Sequence, residues 1–128
     1  MQNSKLVKLL LLSGAIYFFT VAIVHFLGLK IPMLYVYFDV ESTVYQDRII
    51  SALSAMFAVF LFSGYKLIDV TTDILKYILI AGAIGIFGLS LNNFLTNTTF
   101  RENPIYWLEI SLLGLYVVSL LFLYRKLK

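Results

Sequence analysis

Four long apolar runs, separated by short polar stretches, dominate the chain. They cover residues 6–29, 44–68, 73–95 and 104–124. A helix needs about 20 mostly apolar residues to cross the roughly 30 Å of bilayer hydrocarbon, and each run is long enough. The pattern therefore predicts one domain, residues 1–128, that is an all-α integral membrane protein. We expect an antiparallel bundle of four transmembrane helices, with an interfacial outer loop between the first two helices.

The composition agrees with this assignment. The 128 residues are 61% hydrophobic and 13% charged, and the mean hydropathy of +0.91 is far above that of a soluble domain. The sequence contains no cysteine, which excludes disulfides, thiolate metal sites and a cysteine nucleophile. We assign the net charge of +3 to the flanks of the spans. It therefore predicts membrane lipids as partners and no nucleic-acid binding.

Lysine and arginine residues are distributed unevenly between the two ends of the predicted spans. One end carries Lys5, Lys8, Lys66, Lys76, Arg125, Lys126 and Lys128. The other end carries Lys30, Arg48 and Arg101. Short loops rich in these residues stay on the cytoplasmic side. The distribution predicts that both termini are cytoplasmic, in a prokaryotic inner or plasma membrane, and that residues 30–48 and 96–103 lie on the outer face.

Two helix starts have recognisable capping sequences. Thr43 followed three residues later by Gln46 fits a capping box, and Asn103 followed by Pro104 fits an N-cap with proline at the first helical position. We therefore expect the second and fourth helices to begin at these points.

The outer loop contains an alternating segment. From Leu34 to Glu41 the residues read LYVYFDVE, which alternates apolar and polar positions and predicts an extended strand-like segment. We expect it to lie over the outer mouth of the bundle as a lid. Its polar side would present Tyr35, Tyr37, Asp39 and Glu41. The alternative is a flexible connector that is anchored by its aromatic rings.

Small residues indicate where helices pack, because they let two backbones approach closely inside a membrane. The predicted packing residues are Gly14 and Gly28 in the first helix, Ser51 and Ala55 in the second, and Ala81, Gly85 and Gly88 in the third.

Three polar residues fall in one layer beneath the outer loop. At a rise of roughly 1.5 Å per residue, His25, Asn92 and Glu109 lie about 5 to 8 Å inside the outer boundary. Polar groups inside a membrane usually face the bundle interior, so the layer is a candidate site. His25 and Glu109 would exchange protons or bind a ligand, and Asn92 would donate hydrogen bonds. The entrance would be formed by Tyr45, Asp47 and Arg48.

The same three residues also fit a purely structural interpretation. In it, the Glu109 carboxylate extends to the interface, Asn92 bonds a neighbouring helix, and His25 is a core histidine. A single histidine is too few ligands for a metal or haem site, so we predict no metal site and no cofactor. The sequence contains no phosphate loop, nucleophile elbow or zinc-hydrolase motif, which argues against an enzyme.

Three functions fit these observations. The small-residue stripes favour an accessory subunit that binds other membrane proteins or forms a homo-oligomer. A small oligomeric transporter or channel would use the outward-facing polar layer, although no polar residues continue it inward. A membrane enzyme or binder of lipid or quinone would use the His25 layer. The outline of four spans with a longer first outer loop resembles that of DoxX-like and other small membrane proteins, a resemblance of architecture that implies no activity.

Overall fold

The computed structural model describes residues 2–128, and they form four helices. These are α1 (Gln2–Phe26), α2 (Val44–Leu67), α3 (Asp73–Leu95) and α4 (Pro104–Leu127). Residues 2–128 contain no β-strand. Each helix is long and apolar enough to cross a membrane. The prediction of an all-helical chain with four candidate membrane spans is therefore confirmed.

Helix α1 ends earlier than the apolar pattern predicts, because Gly28 stops it. Gly28 has a φ of +67°, a left-handed conformation that glycine adopts without a Cβ clash. The N–H of Leu29 donates to the carbonyl of Val24 at 2.9 Å, and the N–H of Gly28 donates to that of His25 at 3.1 Å. This pair of bonds is the Schellman motif. Gly28, predicted as a packing residue, is instead a helix terminator with no atom within 4 Å of where a Cβ would lie.

The starts of α2 and α4 agree only in part with their predicted capping sequences. The predicted capping box is present at α2, where the Gln46 N–H donates to Thr43 Oγ1 at 3.2 Å and the Thr43 N–H donates to Gln46 Oε1 at 2.9 Å. Helix α4 begins at Pro104, but the side chain of Asn103 forms no capping hydrogen bond.

The core of the bundle lies toward the chain termini. Its buried members are Val7, Leu11, Ala15, Leu61, Ile68, Leu75, Ile78 and Leu120, which come from all four helices. Helices α1 and α2 share the most extensive contact, and α3 packs mainly on α4. Toward the other end, Ser51 Oγ donates to the carbonyl of Ala22 at 2.6 Å and joins α2 to α1.

Helix α3 meets α4 at Gly82, one residue along the chain from the predicted Ala81. A Cβ on Gly82 would lie 2.7 Å from Val117 Cγ2 of α4, so the two helices touch at Gly82. Ala81 and Gly85 border a cavity, and no atom lies within 4 Å of where a Cβ of Gly85 or Gly88 would be.

The remaining predicted packing residues lie in α1 and α2. Gly14 contacts Tyr116 of α4, and Ser51 is buried against α1. Ala55 is half-buried in a shallow groove with Met56 and Phe60.

Candidate functional site

The α1–α2 loop (residues 27–43) folds as a series of turns. The N–H of Tyr35 donates to the carbonyl of Ile31 at 2.9 Å, and that of Val40 donates to Tyr37 at 3.0 Å. Met33 and Tyr37 have positive φ values of 71° and 55°. The predicted extended segment from Leu34 to Glu41 is therefore wrong. The alternation over eight residues does not form an extended segment with one apolar and one polar side. Backbone N–H groups of the loop bond to carbonyls within the loop, and these bonds fold it into turns.

The first anchor of this loop is His25, in the last turn of α1. Its Nε2 accepts a 3.0 Å hydrogen bond from the backbone N–H of Val36. The ring of Tyr35 stacks on the imidazole, with 4.1 Å between centroids and 19° between planes. His25 is 0% exposed and Tyr35 is 1% exposed. A loop residue therefore shields this histidine from solvent.

The second anchor is Asp47, in the first turn of α2. The hydroxyl of Tyr35 donates a short hydrogen bond to the buried Asp47 carboxylate and lies 2.7 Å from Ser42 Oγ. Burial, and after it the bond to Asp47, raise the pKa of the Tyr35 hydroxyl, so this group stays protonated and donating. The ammonium of Lys30 lies 6.0 Å from the centre of the same ring. Tyr35 thus joins the ends of α1 and α2.

The loop also contacts α3 and α4 through Tyr37. Its hydroxyl donates to Asn93 Oδ1 at 2.8 Å and accepts from Asn92 Nδ2 at 2.6 Å. Its ring meets Tyr106 edge to face at 4.7 Å between centroids. Asn93 is fully buried, whereas Asn92 is exposed. The sequence prediction chose Asn92 and missed Asn93, the neighbour that faces the bundle.

Glu109 lies elsewhere, in a groove between α1 and α4. The groove encloses about 330 Å³ and is mostly apolar. Glu109 lies beside the backbone of Met33, and the Tyr17 hydroxyl donates to the Met33 carbonyl at 2.7 Å. The remaining lining residues are Ser13, Gly14, Phe18, Leu112, Leu113 and Tyr116. The hydroxyls of Ser13 and Tyr116 both donate to the carbonyl of Leu10. The groove is therefore mostly apolar, with Tyr17 and Glu109 beside the loop.

A second, more central cavity adjoins this groove. It has a volume of about 240 Å³ and lies among residues of all four helices. Phe18, Leu113 and Tyr116 line both spaces. Apart from the Tyr116 hydroxyl, which donates to the carbonyl of Leu10 at 2.8 Å, the side chains that line the central cavity are apolar.

The predicted polar layer is therefore divided between three environments. His25 associates with Tyr35 and Asp47, Asn92 with Tyr37, and Glu109 with Tyr17 and Met33. Within residues 2–128, no hydrogen bond or ion pair joins His25 to Glu109.

The other predicted site residues lie at the surface. Tyr45 is 75% exposed, and the guanidinium of Arg48 lies 5.5 Å from the centre of the Phe26 ring. The side chains of Asp39 and Glu41 are exposed on the loop. Sequence spacing places all four near the loop but does not show that their side chains are exposed.

Three buried polar atoms have no hydrogen-bond partner within the described chain. They are His25 Nδ1, Asn93 Nδ2 and Tyr106 Oη. No group of three His, Cys, Asp or Glu side chains in residues 2–128 is arranged to hold a metal ion. The polar groups at this end therefore form a loop-anchoring network and a separate groove.

Comparison with known proteins gives no relative for this arrangement. The chain matches no protein-family model, no curated protein and no solved structure.

Proposed function

We propose that this chain is an integral membrane protein that binds an amphiphilic, lipid-like molecule in the groove between α1 and α4. Four helices of sufficient length and apolar character support membrane insertion. The uneven distribution of lysine and arginine supports cytoplasmic termini, with the α1–α2 loop on the opposite side.

The observation that carries the proposal is the composition of the groove. Ligand sites are concave and mostly apolar, with a few polar groups that fix the orientation of the ligand. This groove has apolar walls at Phe18, Leu112 and Leu113. The Ser13 and Tyr116 hydroxyls that also line it both donate to the carbonyl of Leu10, so the ionisable group that it offers a ligand is Glu109, beside Tyr17. An amphiphile fits this groove, because its apolar tail would lie against the apolar walls while its polar head group reaches the carboxylate of Glu109.

The chemistry of Glu109 defines the head group. Among residues 2–128 the ion pair is Lys8 with Asp69, and Glu109 has no cationic partner. A carboxylate in a partly apolar site is stabilised by a hydrogen-bond donor or a positive charge. The head group therefore carries an ammonium or a hydroxyl, which donates to Glu109. The proposal concerns binding and includes no chemical step.

The test is whether the purified protein retains such a molecule. The whole chain is extracted in a mild detergent, and its bound molecules are identified by native mass spectrometry and organic extraction. Leu112→Trp fills the groove and removes the retained amphiphile, whereas Val59→Trp, an equally bulky change in a shallow groove between α1 and α2, leaves it bound. Equal retention by both variants, or no retained amphiphile in the wild-type protein, contradicts the proposal.

A second candidate is an accessory subunit of a larger membrane complex or homo-oligomer. The observation that favours it is the position of α3, which buries the smallest share of its residues among the four helices. Gly88 on this helix has open space around it, so another helix could approach its backbone. In that case Gly88→Leu removes co-purifying subunits and Leu112→Trp does not. If Gly88→Leu leaves the purified assembly unchanged, this candidate fails.

The transporter interpretation has less support. A pathway for a polar solute needs polar groups along its length. The central cavity is apolar apart from Tyr116, so the polar groups near the loop do not continue toward the termini.

A further inference from the structure

The hydrogen bond between Val36 and His25 fixes the protonation state of this histidine. An imidazole nitrogen that accepts a hydrogen bond must carry a free lone pair. Because His25 Nε2 accepts from the Val36 N–H, a neutral imidazole carries its proton on Nδ1. If a second proton were added at Nε2, two N–H donors would face each other. Protonated His25 is therefore incompatible with the anchored loop.

We propose that His25 and Val36 form a proton-operated latch: protonation of His25 releases the α1–α2 loop and opens the adjacent end of the groove between α1 and α4. The part concerning the groove rests on the proposed function. The part concerning the loop rests only on the contacts around His25.

The groups that face His25 determine how the latch responds. Tyr35 from the loop covers the imidazole face and keeps water away. Asp47 from α2 lies close enough to interact electrostatically with His25, and Lys30 from the loop acts on the same carboxylate. On α1 itself, the neighbouring residue is Phe26, and the guanidinium of Arg48 from α2 lies over its ring. Among residues 2–128, no hydrogen bond or ion pair joins His25 to a group of α3 or α4.

Asp47 gives the protonated state an alternative partner. In the anchored loop its carboxylate accepts from the Tyr35 hydroxyl, which has one proton to donate. Once His25 is charged, the imidazolium attracts this carboxylate, and a charge-assisted bond between the two would be stronger than the bond from a neutral hydroxyl. Protonation thus removes the bond to Val36 and at the same time competes with the bond of Tyr35.

The latch is connected to the groove by Met33, three residues before Val36. The carbonyl of Met33 accepts a hydrogen bond from the Tyr17 hydroxyl, and Met33 lines the groove together with Glu109. Met33 has a φ of 71°, which a residue other than glycine keeps only where surrounding contacts hold it. Val36 belongs to the same loop, so freeing it removes one of the bonds that hold the loop in place over the Glu109 end of the groove.

Hydrogen exchange of the full chain in a lipid nanodisc tests the latch. We expect the Val36 amide to be protected at neutral pH and to lose protection, after correction for intrinsic exchange, as the pH falls through about 6.5, where an exposed imidazole takes up its proton. His25→Gln, whose amide oxygen accepts without titrating, makes the protection independent of pH. Tyr17→Phe removes a different bond to the loop, so it lowers the protection of the Val36 amide by a similar factor at every pH. Protection of the wild-type Val36 amide that stays constant between about pH 5 and about pH 8 overturns the latch.

A second measurement needs no variant. His25 is the single histidine of the chain, so ¹⁵N-histidine labelling gives one imidazole to observe. We expect an unprotonated Nε2 at neutral pH, and a protonated Nε2 with a free Nδ1 would overturn the inference. If protection falls with acid in a protein that retains no amphiphile, the latch is supported and the proposed function is contradicted. If the amphiphile is retained while protection is constant, the proposed function is supported and the latch is contradicted.

Discussion

The hydroxyl of Tyr116 in α4 donates a 2.8 Å hydrogen bond to the carbonyl of Leu10 in α1. Gly14, one turn further along α1, leaves the space that the tyrosine ring occupies. A Cβ at Gly14 would lie 2.9 Å from Tyr116 Cζ and 3.1 Å from Leu61 Cδ1. At Gly14, side chains from α2 and α4 therefore both pack directly against α1.

Replacing Gly14 with alanine should destabilise the bundle. The added methyl group overlaps Tyr116 and Leu61, and overpacking of this kind costs about 1 to 3 kcal/mol. The matched change Gly88→Ala meets open space and should leave the free energy of unfolding unchanged or raise it by up to about 1 kcal/mol. Unfolding in mixed micelles, followed by circular dichroism, measures both. Equal effects of the two substitutions would contradict the close contact at Gly14.

Replacing Tyr35 with phenylalanine should also destabilise the protein. The ring still stacks on His25, but the buried carboxylate of Asp47 loses a donor, which costs about 1 to 3 kcal/mol. Tyr45→Phe removes the same hydroxyl from a side chain that is 75% exposed, so it serves as the control. The free energy of unfolding of the two variants should differ by that amount, and a difference near zero would show that the Tyr35–Asp47 bond adds nothing.

The cluster of Ser4, Lys8 and Asp69 should make stability depend on pH in acid. The hydrogen bonds from Lys8 and then Ser4 hold the pKa of Asp69 below its ordinary value of 3.8. Because the folded pKa is the lower one, the contribution is complete above pH 3.8 and is lost as the pH falls through the folded value.

We expect Asp69→Asn to reduce stability at neutral pH and to lose this effect in acid, once the pH lies below the lowered pKa of the wild-type carboxylate. Lys8→Gln should show the same pH profile, and the double substitution should add little to either change. The measurement is the unfolding midpoint of each variant across this range. An effect of Asp69→Asn that is the same in acid as at neutral pH would rule out the ion pair as its cause.

The single tryptophan tests membrane insertion directly. Trp107 lies in the first turn of α4, and its Nε1 donates to the carbonyl of Thr98 at 2.9 Å, so an inserted bundle places it near the interface. In vesicles of brominated lipids we expect bromine near the head groups to quench its fluorescence more strongly than bromine deep in the chains. In the control, which carries Trp107→Phe and Phe87→Trp, the exposed tryptophan near the middle of α3 should show the opposite order. The same order for both proteins would argue against the proposed spans.

The helices and the α2 capping box are predictable from the sequence because both depend on local patterns. Length and apolar character define the four helices, and Thr43 and Gln46 need only each other. The loop was misjudged because alternation over eight residues competes with backbone turns that no pattern of side chains reveals.

The packing face of α3 illustrates a second limit. Successive residues of a helix point about 100° apart, and a nearly uniform apolar helix gives little indication of which side is buried. Gly82 contacts α4 next to the predicted Ala81, which borders the central cavity, and the buried Asn93 lies next to the exposed Asn92. His25 and Glu109 were both recognised as candidates, but only the tertiary structure shows that they belong to different environments.

The contacts of Tyr37 with Asn93 and Tyr106 also set an order for biosynthesis. The α1–α2 loop leaves the ribosome before α3 and α4, and its aromatic ring then has none of these partners. A hairpin of α1 and α2 can form early, since these helices share the most extensive contact. The contacts of Tyr37 are complete only after Tyr106 has been synthesised, so the last helix supplies part of the packing of the first connection.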